Sequence, residues 1–219
     1  MFDMDVKEKF PGVFLVDGKL ATRATFKDWR PFSEQIVGEY RLWDPTRSKL
    51  GAAIIKGLKI MPIFKGAKVL YLGSAHGFTC SYVADIVGKE GIIYGVEFSE
   101  RPFTEFLPIA EKYGNIMPIL ADARMPEKYN WIEKVDVVFC DIADTQMSEA
   151  AIRNARTFLK PDCFVMIAIK SRSIDVVENP RKIVEQEVKK FQDAGFDVMQ
   201  WMMLDPLERD HGFILARMK

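Results

Sequence analysis

The chain has 219 residues, of which 48% are hydrophobic, a size and composition that fit one α/β domain with a small appendage. Its 31 lysines and arginines balance 31 aspartates and glutamates, which argues against a protein that grips nucleic acid by itself, because non-specific affinity comes mostly from basic side chains on phosphates. No apolar run approaches the ~20 residues of a membrane span, and the acidic start MFDMDVKEKF has no apolar signal segment. We therefore expect a cytoplasmic protein with no membrane association.

Residues 1–40 predict a small β-rich appendage to a main domain at 41–219. In GVFLVDGKLATRAT, two short alternating runs flank Asp17 and Gly18, a pair typical of a hairpin turn. Prolines at 11, 31 and 45 interrupt any longer element. We predict a hairpin followed by a loop.

The stretch from Pro45 to Leu72 contains six basic residues and no acid. It is either a solvated helix face followed by a loop or a phosphate-facing patch on a neutral body. The basic residues are Arg47, Lys49, Lys56, Lys59, Lys65 and Lys68.

From Val69 onward, short apolar runs alternate with segments of helical period, which predicts right-handed crossovers and a mostly parallel sheet. The last two runs are joined only by DPLERDH, which is too short for a crossover helix and requires an antiparallel hairpin. This seven-stranded layout is that of the Rossmann-like class I methyltransferases, an analogy of fold alone. The apolar runs are Val69–Gly73, Ile92–Phe98, Met117–Ala121, Val135–Ile142, Cys163–Lys170, Val198–Leu204 and Gly212–Met218, and the helical segments lie near 77–87, 100–113, 146–159 and 180–194.

The stretch VLYLGSAHGFT places an apolar strand before a glycine-containing turn and a helix, the arrangement with which α/β proteins bind nucleotide-like ligands. Only Gly73 and Gly77 are present, so the dinucleotide fingerprint G-x-G-x-x-G is incomplete. The loop predicts a ligand site without saying which ligand.

Four polar residues, Glu97, Asp122, Asp141 and Lys170, each close one apolar run. Because ligands bind outside the carboxyl ends of parallel strands, we expect these side chains to converge on one crevice. Glu97 is placed to accept both hydroxyls of a ribose, and Asp122 to reach an adenine amino group. Lys170 with Asp141 is either a structural ion pair or a catalytic pair.

The sequence offers little from which to build a metal site. Cys80, Cys140 and Cys163 have no metal-like spacing, and only two histidines are present. We expect the cysteines to pack in the core of a protein kept in a reducing compartment.

Seven segments that together cover nearly the whole chain from about Glu39 resemble the fibrillarin family. The resemblance is most specific in R-W-P-R-S-K-L-A-A-I and in the closing ERDH. The eukaryotic members carry a Gly/Arg-rich N-terminal tail that is not seen here, so the chain looks like the archaeal form. The segments are RLWDPTRSKLGAAI, VLYLGSAHGFT, IVGKEGIIYGVEFS, ADARMPEKY, VDVVFCDIA, TFLKPDCFVMIAIKSRSID and LDPLERDH.

The resemblance implies an S-adenosylmethionine-dependent 2′-O-methyltransferase of ribosomal RNA and of some transfer RNAs. It implies work inside a ribonucleoprotein, in which a C/D-box guide RNA, a Nop-family scaffold protein and a box-binding ribosomal-type protein deliver the target RNA. Such delivery would explain the neutral charge.

The same resemblance implies roles for individual residues. His76 and Phe78 are bulkier than expected in the glycine loop, and DIADTQ is shorter than the family pattern before Gln146. We expect His76 to pack over the ligand. The implied cofactor-binding residues are Gly73, Ser74, Ala75, Gly77, Phe78, Thr79, Glu97, Phe98, Asp122, Ala123, Asp141 and Gln146, and the implied catalytic residues are Lys49, Asp141 and Lys170 with Asp210 or His211 as a fourth member.

Three other functions compete with this one. Another class I methyltransferase, acting on a small molecule or a protein, would share the cofactor crevice. A nicotinamide-dependent oxidoreductase is disfavoured by the missing third glycine and the C-terminal hairpin. A non-catalytic subunit of a ribonucleoprotein would not need Lys49, Asp141 and Lys170 intact.

Overall fold

A computed structural model describes residues 4–219, and residues 1–3 of the predicted appendage lie outside that range. The N-terminal part forms an antiparallel sheet with the strand order β1-β2-β3-β5-β4. Its strands are β1 (Val6–Phe10), β2 (Val13–Val16), β3 (Lys19–Arg23), β4 (Ile36–Val37) and β5 (Tyr40–Leu42).

The predicted hairpin is confirmed. Val16 pairs with Lys19, and Asp17 and Gly18 between them both have positive φ angles, of 48° and 77°. Such angles are those of a turn that matches the twist of a two-residue hairpin. The predicted loop contains strand β4, and β5 runs to Leu42, whereas β1 was not predicted. The division of the chain at residue 40 stays a prediction.

The second sheet has seven strands in the order β11-β12-β10-β9-β6-β7-β8. Strand β12 is antiparallel to both of its neighbours, whereas β10, β9, β6, β7 and β8 pair in parallel. All seven apolar runs of the sequence form these strands, which confirms the predicted class I architecture. The strands are β6 (Lys68–Leu72), β7 (Ile92–Glu97), β8 (Ile116–Leu120), β9 (Val135–Cys140), β10 (Leu159–Lys170), β11 (Asp197–Met203) and β12 (His211–Arg217).

Six α-helices accompany the sheets, and four of them are the predicted helical segments. The helices are α1 (Lys49–Ile55), α2 (Phe78–Val87), α3 (Glu100–Tyr113), α4 (Met147–Phe158), α5 (Ser171–Ile174) and α6 (Pro180–Asp193), with short 3-10 helices at Pro45–Arg47 and Pro126–Tyr129. Within residues 4–219, none of them is long and apolar enough to cross a membrane.

The seven-stranded sheet separates two hydrophobic layers. One layer joins α1, α2 and α3 with residues of the N-terminal sheet such as Val13 and Leu20, and it includes the buried Cys80. The opposite layer holds α4 and α6 and includes the buried Cys140. Because Val13 and Leu20 belong to the first layer, the N-terminal sheet shares its core with the main domain.

The edge strands of both sheets are short or irregular. Strand β1 has a bulge between Glu8 and Phe10, and β4 has only two residues. In the larger sheet, β11 has a bulge between Val198 and Gln200, and β8 contains Pro118.

Candidate active site

The site lies where the sheet order reverses between strands β6 and β9. Leu72 of β6 stands opposite Cys140 of β9, and the next residue, Asp141, donates its N–H to the Leu72 carbonyl at 2.8 Å. Helix α2, after β6, and helix α4, after β9, cover opposite faces of the sheet. A crevice therefore opens outside the carboxyl ends of these strands, where α/β folds bind their ligands.

Two glycines give the loop after β6 its shape. Gly73 has a φ of 82°, and a Cβ there would lie 2.6 Å from the Asp141 carbonyl oxygen. Gly77 has a φ of 91°, and its Cβ would lie 2.6 Å from the Phe106 ring. Any larger residue would push the loop away from β9 or from helix α3.

Two adjoining cavities occupy the crevice and share Gly73, Ala75, Asp141 and Lys170. The larger has a volume of about 320 Å³ and the smaller about 160 Å³. The larger is also lined by Arg47, Lys49, Tyr71, Ser74, His76, Phe78 and Thr79, and the smaller by Val96, Glu97, Phe98, Ala121, Ala123, Ile142 and Ala143.

Two lysines converge on a single carboxylate oxygen. The Nζ of Lys49 lies 3.5 Å from Oδ1 of Asp141, and the Nζ of Lys170 lies 3.6 Å from the same atom. All three side chains are largely but not fully buried, with exposed fractions of 17%, 24% and 12%. One carboxylate balances one ammonium, so the cluster retains a net positive charge when both lysines are protonated.

Local structure fixes each lysine at the start or end of an element. Lys49 begins helix α1, where the Oγ of Ser48 accepts the Gly51 N–H at 3.1 Å as an N-cap. Lys170 ends β10, and the N–H of Ser171 after it donates to the Asp210 carbonyl at 3.3 Å.

Glu97 closes β7 at the wall of the smaller cavity and is only 7% exposed. Its two carboxylate oxygens accept the N–H groups of Ala75 and Ser99, each at 2.9 Å. Glu97 thus holds the glycine loop as well as facing the cavity. Phe98, 71% exposed, stands at the rim of the same cavity.

Asp122 and Gln146 lie apart from the cavity linings, whereas Ala123 belongs to the smaller one. The side chain of Arg124 donates to both oxygens of Asp122, and these hydrogen bonds hold the pKa of the Asp122 carboxyl below its ordinary value. Gln146 is exposed, and its N–H donates to Asp144 at 2.7 Å. The cofactor roles of Asp122 and Gln146 stay predictions.

The two candidates for a fourth catalytic residue have different surroundings. His211 is the partner of Lys170 in the antiparallel register of β10 and β12, so the two side chains project from the same face of the sheet. Asp210 instead forms an ion pair with Arg172 at 3.1 Å. The register favours His211 as the neighbour of Lys170, and its role stays a prediction.

Tyr71 is a cavity residue that sequence reasoning missed. It is 2% exposed, and burial together with the Asp141 charge raises the pKa of its phenol well above the ordinary value. The sequence contains a signal for this position. Side chains alternate between the two faces of a strand, so Tyr71 lies on the same face as Val69 and the first glycine of the loop, Gly73. His76, expected to pack over a ligand, is exposed at the larger cavity with its ring 5.9 Å from that of Phe32.

The basic stretch does not form one patch. Lys65 pairs with Glu90 at 3.3 Å, and Lys68 pairs with Glu133 at the far end of β6. The ammonium of Lys56 donates to the Asp205 carbonyl at 2.5 Å. Only Arg47 and Lys49 of the six basic residues belong to the cavity linings, within the part of the chain that the structure describes.

Comparison with known sequences identifies relatives over the whole described chain. A family model described as Fibrillarin matches residues 4–219. A fibrillarin-like rRNA/tRNA 2′-O-methyltransferase of Sulfolobus acidocaldarius is 52% identical over 182 residues, which cover 83% of this chain and 79% of the relative. The protein of the same description from Pyrococcus furiosus is 47% identical over 221 residues, covering 96% of this chain and 97% of the relative.

Solved structures agree with the sequence comparison. The Methanococcus jannaschii fibrillarin pre-rRNA processing protein superposes with a TM-score of 0.94 at 40% identity, covering 100% of this chain and 99% of that one. Aeropyrum pernix fibrillarin, with natively bound S-adenosyl-L-methionine, superposes with a TM-score of 0.88 at 40% identity, covering 99% of this chain and 100% of that one. The fibrillarin/Nop5p complex superposes with a TM-score of 0.90 at 40% identity, covering 97% of this chain and 100% of that one.

Proposed function

The chain belongs to the fibrillarin family, and from that premise we propose how its site performs the family's reaction. It is an S-adenosylmethionine-dependent methyltransferase that modifies the 2′-hydroxyl of riboses in ribosomal and transfer RNA, as its named relatives do. Its cofactor is the one held by the Aeropyrum pernix protein, and its protein partner is of the Nop family, as in the fibrillarin/Nop5p complex.

The crevice has the chemistry that this cofactor needs. The Oγ of Ser74 is buried and has no hydrogen-bond partner within residues 4–219, so it is free to meet a polar group of a ligand. Gly73 and Ala75 offer backbone beside it, and the N-terminus of α2 favours a carboxylate. Glu97 would accept the ribose hydroxyls, with Phe98 beside the adenine.

Lys170 is the group we assign to remove the proton of the target hydroxyl. When bound, the cofactor supplies an electrophilic methyl group on its sulfonium centre. Asp141 holds the Nζ atoms of both lysines beside its Oδ1, and this positions Lys170 at the wall of the cavity. In its unprotonated form, the Lys170 amine accepts the proton of the 2′-hydroxyl.

The sharing of one Asp141 oxygen by Lys49 and Lys170 is the observation that carries this assignment. A small-molecule methyltransferase would need the cofactor crevice but not a second lysine beside it. Much of the remaining rate comes from holding the two reactants in line.

We further propose that a C/D-box guide RNA and a box-binding ribosomal-type protein complete the particle in the cytoplasm. The net charge of zero supports this proposal, because a chain without excess basic residues gains little affinity for RNA by itself. The guide, rather than this chain, would choose the nucleotides that are methylated.

The test is transfer of a labelled methyl group from S-adenosylmethionine to a target RNA. We expect transfer by the full assembly of chain, scaffold, box-binding protein and guide, and none to a target whose methylated nucleotide is 2′-deoxy. Transfer that persists on the 2′-deoxy target would contradict ribose methylation.

Lys170→Ala tests the base, with Lys160→Ala as the matched control. Lys160 lies at the other end of the same strand, and it too pairs with an aspartate, Asp136, at 2.5 Å. Loss of a general base typically costs ~10²–10⁴-fold in rate, so we expect that loss for Lys170→Ala with cofactor binding intact. Full methylation by Lys170→Ala would rule out this role.

A further inference from the structure

Arg47 lines the catalytic cavity, but the proposed mechanism assigns it no role. Its guanidinium carbon lies 4.3 Å from the centre of the Phe78 ring, and its Nη1 donates to the Phe32 carbonyl at 3.3 Å. Within residues 4–219 it forms no salt bridge, and the side chain is exposed. Stacking on an aromatic ring holds the guanidinium plane in place while most of its donors stay free.

Arg47 stands at the junction of two cavities. It lines the larger catalytic cavity together with Lys49 and Lys170, and it also lines a groove of about 520 Å³ between the N-terminal sheet and helix α1. Phe78 is the other residue common to both linings. The groove therefore adjoins the catalytic cavity at the Arg47–Phe78 pair.

Of the two acids of this groove, Glu34 is neutralised by an ion pair, whereas Asp44 is held by hydrogen bonds through one oxygen and keeps its charge. Glu34 binds Arg41 at 2.8 Å, and both side chains are 3% exposed. Oδ1 of Asp44 accepts the N–H and the hydroxyl of Thr46, at 2.9 and 2.7 Å. The groove is lined by two cations, Lys19 and Arg47, and of these only Arg47 also lines the catalytic cavity.

We propose that Arg47 binds a phosphate of the target RNA strand beside the methylated ribose, and that the groove takes the adjoining nucleotide. This inference rests on the proposed function, because a ribose whose 2′-hydroxyl reaches Lys170 carries a phosphate on its neighbouring 3′ carbon. A correct substrate pose must then bring a phosphate to the mouth of the catalytic cavity. A planar guanidinium fork matches two phosphate oxygens.

The competing ligand for Arg47 is the carboxylate of the cofactor, since the same cavity contains the glycine loop. Two observations favour the RNA phosphate. Arg47 is exposed and borders the groove as well as the cavity. The buried start of helix α2, by contrast, already supplies N–H groups suited to a carboxylate.

The experiment compares Arg47→Ala and Arg47→Lys with the control Lys56→Ala, which changes a lysine of the same basic stretch that lies outside both linings. We would measure the affinity of the assembled, guide-loaded particle for its target strand at several salt concentrations. Binding of S-adenosylmethionine to each chain would be measured separately by calorimetry.

We expect Arg47→Ala to weaken target binding by roughly tenfold. The slope of the logarithm of the binding constant against the logarithm of the salt concentration should become shallower by about one, as for the loss of one phosphate contact. Cofactor affinity should stay unchanged, Arg47→Lys should restore part of the RNA binding, and Lys56→Ala should behave as the unaltered chain.

Two results would overturn the inference while leaving the proposed function intact. In an assembly that methylates RNA, Arg47→Ala with unchanged target affinity and salt dependence would show that no phosphate is bound there. Weaker cofactor binding with unchanged RNA affinity would assign Arg47 to the cofactor carboxylate instead. Absence of methyl transfer by the unaltered assembly would refute the proposed function itself.

Discussion

At the scale of single residues, Gly73 couples the glycine loop to Asp141, the carboxylate shared by the two lysines. Its missing Cβ allows the loop to approach the Asp141 backbone, and its φ of 82° lies in the left-handed region. The sequence predicts a special role for this glycine from its place after an apolar strand. It does not show that the neighbouring backbone is that of Asp141, because strand order depends on contacts between distant parts of the chain.

We expect Gly73→Ala to abolish cofactor binding and methyl transfer, because an added Cβ would displace Asp141. Gly57→Ala is the matched control, since Gly57 has a φ of 99° but nothing within 4 Å of the added atom. In each variant, the left-handed backbone conformation should lower the free energy of unfolding by about 1–2 kcal/mol, because alanine tolerates it less well than glycine. Thermal unfolding and cofactor calorimetry would check this, and an active Gly73→Ala enzyme would contradict the role of close approach.

The sequence predicts some residue-scale features of the site but not others. The convergence of Glu97, Asp141 and Lys170 on one crevice is predictable, because parallel strands end at one edge of the sheet. The position of Arg47 between two cavities is not predictable, because it depends on how Phe78 and Phe32 pack around it. The engagement of Asp122 by Arg124 also depends on side-chain rotamers that no sequence pattern specifies.

At the scale of elements, a buried polar network connects the N-terminal sheet to helices α2 and α3. Arg41 of β5 donates to Glu34 at 2.8 Å, to Asp85 at 3.0 Å, to Ser81 at 2.9 Å and to the Tyr113 hydroxyl at 2.8 Å. Helix α2 also carries the glycine loop at its N-terminus. The network therefore fixes the helix that follows the glycine loop.

Replacing Arg41 by leucine would leave two buried carboxylates without their cation. Breaking such a pair costs ~3–5 kcal/mol, so we expect Arg41→Leu to lower the free energy of unfolding by about that amount. Arg23→Ala, in the same small sheet, removes an ion pair with Glu39 whose side chains are 62% and 48% exposed, and should cost less than ~1 kcal/mol. Urea denaturation would measure both, and equal losses would mean that the buried network is not specially important.

The larger elements were predictable because hydrophobic periodicity is a local signal. Strands β6 to β12 and helices α2, α3, α4 and α6 all carry it. Strands β1, β4 and β5 do not, because they have only five, two and three residues, and they acquire their pairing only from the finished sheet. For the same reason, Arg41 gives no sign in the sequence of being buried.

At the scale of the whole molecule, the two core layers contain one buried cysteine each. Burial raises the pKa of the Cys140 thiol to about 12, and it raises the pKa of Cys80 as well. Neither thiol ionises near neutral pH in the folded state, and only the thiolate reacts with alkylating reagents. Their labelling therefore reports on opening of the core on either side of the sheet.

We expect Cys80 and Cys140 to stay unlabelled by iodoacetamide at pH 8 and to become reactive together as urea unfolds the chain. Cys80 and Cys140 should be alkylated at the same rate if both layers unfold in one cooperative transition. Cys163 is only half-buried and is the internal control. Burial raises the pKa of its thiol too, so it should react slowly, but without unfolding of the chain. Mass spectrometry of labelled peptides would separate the three sites, and early release of Cys80 alone would indicate independent unfolding of its layer.

The irregular edge strands bear on how the protein behaves when crowded. Exposed strand edges are templates for pairing with other chains, and bulges, prolines and very short strands block such pairing. Each sheet edge here has one of these features: the bulges of β1 and β11, Pro118 in β8, and the two-residue length of β4. Copies of this chain can thus be concentrated without joining their sheets edge to edge.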